Sequence, residues 1–255
     1  MKHVFEQMPA APLRPFIQRF LLIDFPSHYG DVHLPDIGAV AAFSLRGVCR
    51  IDGDRWAPPA AFTGLYDTVR AHEHHDHAVL LATFTPAGAA AFLRLPLEEV
   101  AGTTTDLADL IARPIELDQL RERIAEAGND HRRVQLLQEF LLARIRTSEP
   151  DPLVAAAVAW LEQGRGVVRI DDLTRYIGLS QSALERRFRR VVGVSPRKFA
   201  SVVRLRHAVQ LRATGMDLTS IALAAGYFDQ SHFVRDFRRM SGSAPSTFFR
   251  QQASG

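Results

Sequence analysis

Three groups of side chains in this 255-residue sequence have types and spacings suited to chemistry, and each points to a different kind. The first is an arginine motif that occurs twice. Phe188-Arg189-Arg190-x-x-Gly193-x-x-Pro196-x-x-Phe199 returns 49 residues later as Phe237-Arg238-Arg239-x-x-Gly242-x-x-Pro245-x-x-Phe248. Guanidinium groups presented in this way suit phosphate oxygens and guanine edges, because their planar fork matches both. The second group is the run His72-Glu73-His74-His75-Asp76-His77, whose imidazoles and carboxylates are metal-ligand types. On a regular strand His72, His74 and Asp76 would share one face and His75 and His77 the other, so at most three donors align locally. No paired ligand motif elsewhere reinforces them, and the run reads as a hydrated loop or sheet edge leading into an apolar strand, with no metal or cofactor assigned. The third is Cys49, the sole cysteine, which excludes an intrachain disulfide framework and any multi-cysteine zinc site. Its place between Val48 and Arg50 in an alternating run favours a half-buried strand thiol over a nucleophile.

No Ser/His/Asp constellation or phosphate-binding glycine pattern supports catalysis, so the chain is read as a non-enzyme. The alternative, an N-terminal metal-binding enzyme domain localised by a DNA reader, rests on the histidine run alone. Charge separates the chain into two halves. Residues 1–150 carry 15 Lys/Arg against 20 Asp/Glu, a net −5, whereas residues 151–255 carry 16 against 8, a net +8. A compact, arginine-rich region of that sign attracts polyanions, with nucleic acid first among them. The composition, 47% hydrophobic and 23% charged, is that of an ordinary globular protein. No apolar run, that at Val154 to Leu161 included, approaches the roughly 20 residues of a membrane span. Residues 1–8 lack a secretory core, and a cytoplasmic location with no membrane partner is expected.

These residues must be positioned by two kinds of element. Before residue 86 the apolar runs are short or alternating, at 21–23, 39–45, 48–51 and 78–84. They are punctuated by Pro26, Pro35-Asp36, Gly47, Asp52-Gly53-Asp54 and Pro58-Pro59, a pattern of strands. From Pro86 the period moves toward 3.6, with helical segments near 87–93, 106–112, 117–127 and 131–146. The last, starting at an Asn129/Asp130 cap, aligns Val134, Leu137, Leu141 and Ile145, either as a cover for the sheet, the favoured reading, or as a dimer seam. Two prolines in 147–152 mark a linker. Beyond it every segment reads as helix, at 153–163, 172–177, 181–192, 196–213, 218–225, 230–240 and 245–251. The expected fold class is therefore α+β: a β-rich N-terminal domain with trailing helices over 1–146, and an all-α seven-helix domain over 153–255.

Within that second domain each repeat reads as short apolar helix, tight glycine turn, second helix, the layout of a helix-turn-helix. In 181–192, Leu184, Phe188 and Val191 form the inner stripe and leave Ser182, Glu185, Arg186 and Arg189 outward. In 230–240, Phe233, Phe237 and Met240 are inner, leaving Ser231, His232, Arg235 and Arg238 outward. Both outward faces carry groups able to meet base edges in a major groove. Ser180 is a candidate cap for the first reader and a candidate phosphate contact, and Asp229 is the cap candidate for the second. Arg189, Arg190, Arg197, Lys198, Arg204, Arg206, Arg238 and Arg239 are the further phosphate candidates. The amphipathic segment 196–213 can hold the two units at fixed separation. Readers set one helical turn apart would address sites about 34 Å, or 10 bp, apart on double-stranded DNA.

The strings Ile177-Gly178-Leu179-Ser180 through Leu184-Glu185-Arg186-Arg187-Phe188, and above all Ala225-Gly226-Tyr227-Phe228-Asp229-Gln230-Ser231-His232-Phe233-x-Arg235-x-Phe237-Arg238-Arg239, resemble the AraC/XylS family of regulators over about residues 152–252. By matching position the resemblance implies that Ser182, Glu185 and Arg186, then Ser231, His232 and Arg235, lie nearest the bases. One departure is Thr174, where the family usually has a small alanine of the kind the second unit has at Ala222. Leu34-Pro35-Asp36, Phe84-Thr85-Pro86-Ala87-Gly88-Ala89-Ala90-Ala91-Phe92 and Leu107-Ala108-Asp109-Leu110 are similar to a sensor domain attached to such readers. The resemblance thus implies a ligand-responsive, sequence-specific transcription factor. Its expected partners are an unidentified small-molecule effector and RNA polymerase, and its expected state is monomer or homodimer.

Overall fold

Alternating apolar residues in the first eighty positions build an antiparallel sheet around one long strand. The computed structural model describes residues 2–53 and 55–253; Asp54, one of the turn residues noted above, lies outside the described residues. The strands are β1 (His3–Gln7), β2 (Ile17–Asp24), β3 (His28–His33), β4 (Val40–Ile51), β5 (Arg55–Trp56), β6 (Ala60–Thr63), β7 (Arg70–Phe84) and β8 (Thr104–Asp106). Their order is β1-β2-β7-β4-β6-β8, with β3 also beside β7 and β5 beside β4. Strand β7 is the spine: it pairs with β4 along nearly its whole length, with β3 over 70–75 and with β2 over 78–84.

Two expectations change here. The histidine run is neither loop nor edge but the first half of a central strand. Gly47 does not end a strand; it sits inside β4 at φ +63, where a Cβ would fall 2.2 Å from the carbonyl oxygen of Asp76. Asp76 itself is left-handed at φ +49, and the β4–β7 register shifts between Arg46 and Val48. The pair of strands is thus bulged at this point, which moves every later side chain of β7 to the opposite face from the one simple alternation assigns.

The sheet's inner face supplies Phe20, Phe43 and Phe62, joined by Phe16 just before β2, all at most 1% exposed. Helices α1 (Pro114–Glu126) and α2 (Asp130–Leu142) close over it through Leu117, Leu120, Ile124, Val134, Leu137 and Leu141. The stripe on α2 is therefore consumed inside the chain. Asn129 caps α2 by accepting the Arg132 amide, as expected. The helix stops at Leu142, however, and the Arg146 amide turns back to the Ala91 carbonyl at 3.2 Å. The segments near 87–93 and 106–112 contract to single 3-10 turns at Ala89–Ala91 and Leu107–Asp109.

Among the described residues seven helices follow: α3 (Pro152–Gln163), α4 (Ile170–Ile177), α5 (Gln181–Val192), α6 (Pro196–Ala213), α7 (Leu218–Ala224), α8 (Gln230–Ser241) and α9 (Pro245–Ala253). Asp151 begins the set by accepting the Leu153 and Val154 amides. One apolar core runs through them, from Val154 and Leu161 through Leu184, Phe188, Phe199 and Leu205 to Phe233 and Phe237. Ile37, Leu65 and Ala87 of the N-terminal half join this core, so the two halves share buried surface. No helix among the described residues is long and apolar enough to cross a membrane.

Candidate nucleic-acid interface

The two repeats fold as two helix-turn-helix units, α4–α5 and α7–α8. In each, the glycine after the short helix is left-handed, Gly178 at φ +75 and Gly226 at φ +73, which lets the chain reverse where a β-carbon would be strained. The second helices then start on side-chain caps. Ser180 Oγ accepts the Ala183 amide at 3.4 Å, and Asp229 Oδ1 accepts the His232 amide at 2.6 Å. Each inner stripe is sealed: Leu184, Phe188, Phe233, Phe237 and Met240 have no exposed surface. The outward faces of α5 and α8 leave Ser182, Arg186, Ser231 and Arg235 exposed, which is what a groove-reading helix requires.

Of the six residues expected nearest the bases, Ser182, Arg186, Ser231 and Arg235 are exposed, and Glu185 and His232 are half-buried. Glu185 Oε1 accepts from Gln181 Nε2 at 3.2 Å, one turn back on the same helix. The His232 ring stands edge-on to Tyr227 with centroids 5.3 Å apart, which fixes its direction. Neither Arg186 nor Arg235 makes an ion pair among the described residues, so both guanidinium forks are available.

The phosphate candidates divide. Arg189, Arg190, Arg197 and Arg238 are exposed and make no ion pair among the described residues. Arg204 is half-buried, 3.3 Å from Asp236 and stacked 4.4 Å over the Tyr227 ring. Burial, and after it the neighbouring Asp236, pushes the Tyr227 hydroxyl above its ordinary range, so it stays a neutral donor to Asp236 at 3.2 Å. The other three candidates meet acids of the N-terminal half: Lys198 pairs with Asp67 at 3.0 Å, Arg206 with Asp36, and Arg239 reaches Asp67 at 4.0 Å as well as Asp236 at 2.8 Å. Local sequence patterns do not reveal these ties, although Leu34-Pro35-Asp36 carries one of the acids. Backbone joins the halves too, since the Val69 amide donates to the Met240 carbonyl at 2.7 Å, and α5 lies against the 3-10 turns Ala89–Ala91 and Leu97–Glu99.

Thr174, where an alanine was expected, is accommodated by turning its hydroxyl back to the Asp171 carbonyl at 2.9 Å. It stays half-buried, whereas Ala222 at the matching place in α7 is fully buried.

The histidine run has no link to this face. His74 and His77 lie buried in the N-terminal half, and burial holds the rings of His77 and of half-buried His72 down to about 4, so both are neutral at ordinary pH. Burial likewise pushes the Cys49 thiol up to about 12, which makes it inert as a free nucleophile.

Comparison with known proteins bears on the helical half. Residues 173–251 match the family described as "Helix-turn-helix domain". The chain is 35% identical over 79 residues to the HTH-type transcriptional regulator ExsA of Pseudomonas aeruginosa, covering 31% of this chain and 28% of that protein. It is 27% identical over 145 residues to the HTH-type transcriptional regulator CdhR of the same species, covering 51% and 43%. The chain thus spans less than half the length of these curated relatives. Among solved structures, ToxT from Vibrio cholerae superposes over 97% of both chains at 11% identity, with a TM-score of 0.48.

Proposed function

We propose that the helix-turn-helix domain of the C-terminal half is of the AraC/XylS type and that the whole chain is a sequence-specific transcription regulator that reads a bipartite site on double-stranded DNA. The observation that carries this reading is the repetition of one arrangement: two capped helices, each sealed on one side by buried apolar side chains, Phe188 and Phe237 among them, and each offering on the other an arginine, Arg186 and Arg235, with no ion pair among the described residues. In this reading Ser182, Glu185, Arg186, Ser231, His232 and Arg235 meet base edges. Ser180, Arg189, Arg190, Arg197 and Arg238 meet flanking phosphates, which fix register without reading sequence. Residues 1–146 act as the regulatory domain, residues 147–152 as the linker, and no catalysis is assigned.

The contacts between the halves support a route for regulation. Lys198, Arg206 and Arg239 are held by Asp67 and Asp36 in this state, which removes three cations from the phosphate-binding set. An effector that loosens the N-terminal half from α6 and α8 would return them to the DNA. RNA polymerase is the proposed downstream partner. Selecting bound duplexes from a random pool with the full chain at physiological salt, with and without a metabolite library, tests the reading. The expected product is two enriched blocks about 10 bp apart; a pool that stays random contradicts it.

A further inference from the structure

The bulge in β4 and β7 brings together residues that the sequence keeps apart. Cys49 is the direct cross-strand partner of His74. The double irregularity at Gly47 and Asp76 then turns His77, three residues on, to the same face as His74, which a regular strand forbids. The three side chains are 6%, 5% and 3% exposed, and their donor atoms all lie within 4.8 Å of one another. The imidazoles meet through Nδ1, 2.9 Å apart.

We propose that Cys49, His74 and His77 form a buried site for a thiophilic transition-metal ion of the Zn²⁺ or Cu⁺ type, held between strands β4 and β7 of the N-terminal half. One thiolate and two imidazole nitrogens are the donor set that soft and borderline ions select, and hard ions such as Mg²⁺ or Ca²⁺ do not. The outward nitrogens carry the second argument. Metal-bound histidines usually give their other ring N–H to a carboxylate, carbonyl or hydroxyl that fixes tautomer and orientation. His77 Nε2 meets Ser44 Oγ at 3.1 Å. His74 Nε2 is buried with no hydrogen-bond partner, yet stands 3.4 Å from Asp31 Oδ1. A proton now shared between the two Nδ1 atoms leaves one ring with the wrong tautomer for its outer neighbour. Replacing that proton by a metal ion puts N–H on both Nε2 atoms, facing Asp31 and Ser44. The Phe25 ring, stacked 3.6 Å from His74, covers the site with an apolar lid.

Binding is proton-balanced: the Cys49 thiol loses its proton to solvent as the S–metal bond forms, while the proton between the two Nδ1 atoms is given up and one is taken up at the Nε2 that lacked it, so the imidazole pair keeps two N–H groups and one proton is released overall, with no redox step. Small side-chain movement suffices to draw the widest donor pair to Zn–N and Zn–S lengths of about 2.0–2.1 and 2.3 Å. Asp31, His33 and His72 form a second, less buried cluster beside the first, with His33 Nε2 3.0 Å from Asp31. They give an ion a polar path inward from the surface. This site is independent of the DNA reading: among the described residues no hydrogen bond, ion pair or ring contact ties Cys49, His74 or His77 to α3–α9.

The test uses the full chain, stripped with a chelator under reducing conditions and titrated with Co²⁺ alone. The expected result is a thiolate-to-cobalt charge-transfer band saturating at one equivalent and displaced by Zn²⁺; a parallel competition against a Cu⁺ chelator ranks the two ions. Cys49→Ser should abolish the band, His77→Gln should weaken binding at least tenfold, and His75→Gln, which faces His28 instead, should leave it unchanged. Asp31→Asn keeps all three donors and should lower affinity roughly 10- to 100-fold, which covers the case of a Cys49 variant that does not fold. Absence of the band in folded wild type, or unchanged affinity in Asp31→Asn, overturns the site.

Discussion

The two helix-turn-helix units share one register and are fastened to the protein in opposite ways. At the place occupied by Arg187 in α5, α8 has Asp236, 49 residues later. Arg187 reaches back to Asp151 at 2.6 Å, tying the first unit to the start of α3, whereas Asp236 takes Arg204 from α6, Arg239 and the Tyr227 hydroxyl. The first unit is thus anchored at the linker, and the second to the helix that joins the two. Outward, Ser182 and Arg186 of one reader match Ser231 and Arg235 of the other, while Glu185 faces the place of Val234, and Ala183 that of His232. The lesson is that the duplicated part carries what both half-sites need in common, and the unmatched part carries what distinguishes them.

The largest effects should come from the cores. Phe188→Ala and Phe237→Ala each remove a side chain with no exposed surface and should cost about 3–5 kcal/mol. Because both belong to one continuous cluster, chemical denaturation of either variant should show the helical half unfolding in a single transition. Separate transitions for the two units would break the comparison at its base.

At the surface, Arg186→Ala and Arg235→Ala should each cost about 1–3 kcal/mol, confined to that variant's own half-site, in binding assays with one half-site scrambled at a time. Glu185→Ala sharpens the point. A carboxylate accepts from cytosine N4, so this change should relax one base position in the first half-site with no counterpart in the second.

The matched pair Arg190 and Arg239 should differ as well. Arg190 makes no ion pair among the described residues, whereas Arg239 is shared between Asp236 and Asp67. Arg190→Ala should weaken binding to all sequences alike and lower the salt slope by about one, and Arg239→Ala should do less. Asp36→Asn together with Asp67→Asn should raise affinity and steepen the salt dependence.

The smallest effect concerns the entry to each unit. Helix α7 begins on Asp217, which accepts the Thr219 and Ser220 amides, while α4 has no side-chain cap. The Ser220 hydroxyl, and then its amide, hold the Asp217 carboxyl below its ordinary range. A depressed folded-state value stabilises above the unfolded carboxyl's range, and that contribution fades as pH falls through the folded value. Asp217→Ala should therefore lower the thermal midpoint at neutral pH and lose its effect in acid, and Arg169→Ala, at the matching place in α4, should do neither.

Much of the helical half was legible because its signals are local. Ser180 and Asp229 cap where capping residues are expected, and the apolar stripes match the buried faces of α5 and α8. What could not be read depends on distant partners. Asp36 and Asp67 lie more than a hundred residues from the cations they hold. The histidine cluster was misplaced for a subtler reason: face assignment by alternation assumes an unbroken strand, and a single left-handed aspartate, Asp76, reverses it. Gly47 within an apolar run was the available signal, read as an end where it marks a bulge.

The most direct test of the paired-reader account is a footprint of the full chain on its selected DNA, compared with those of Arg186→Ala and Arg235→Ala. The account predicts two protected patches about 10 bp apart, with each variant losing a different one. Footprints that are unchanged in both variants, or that vanish over the same bases in both, would contradict it.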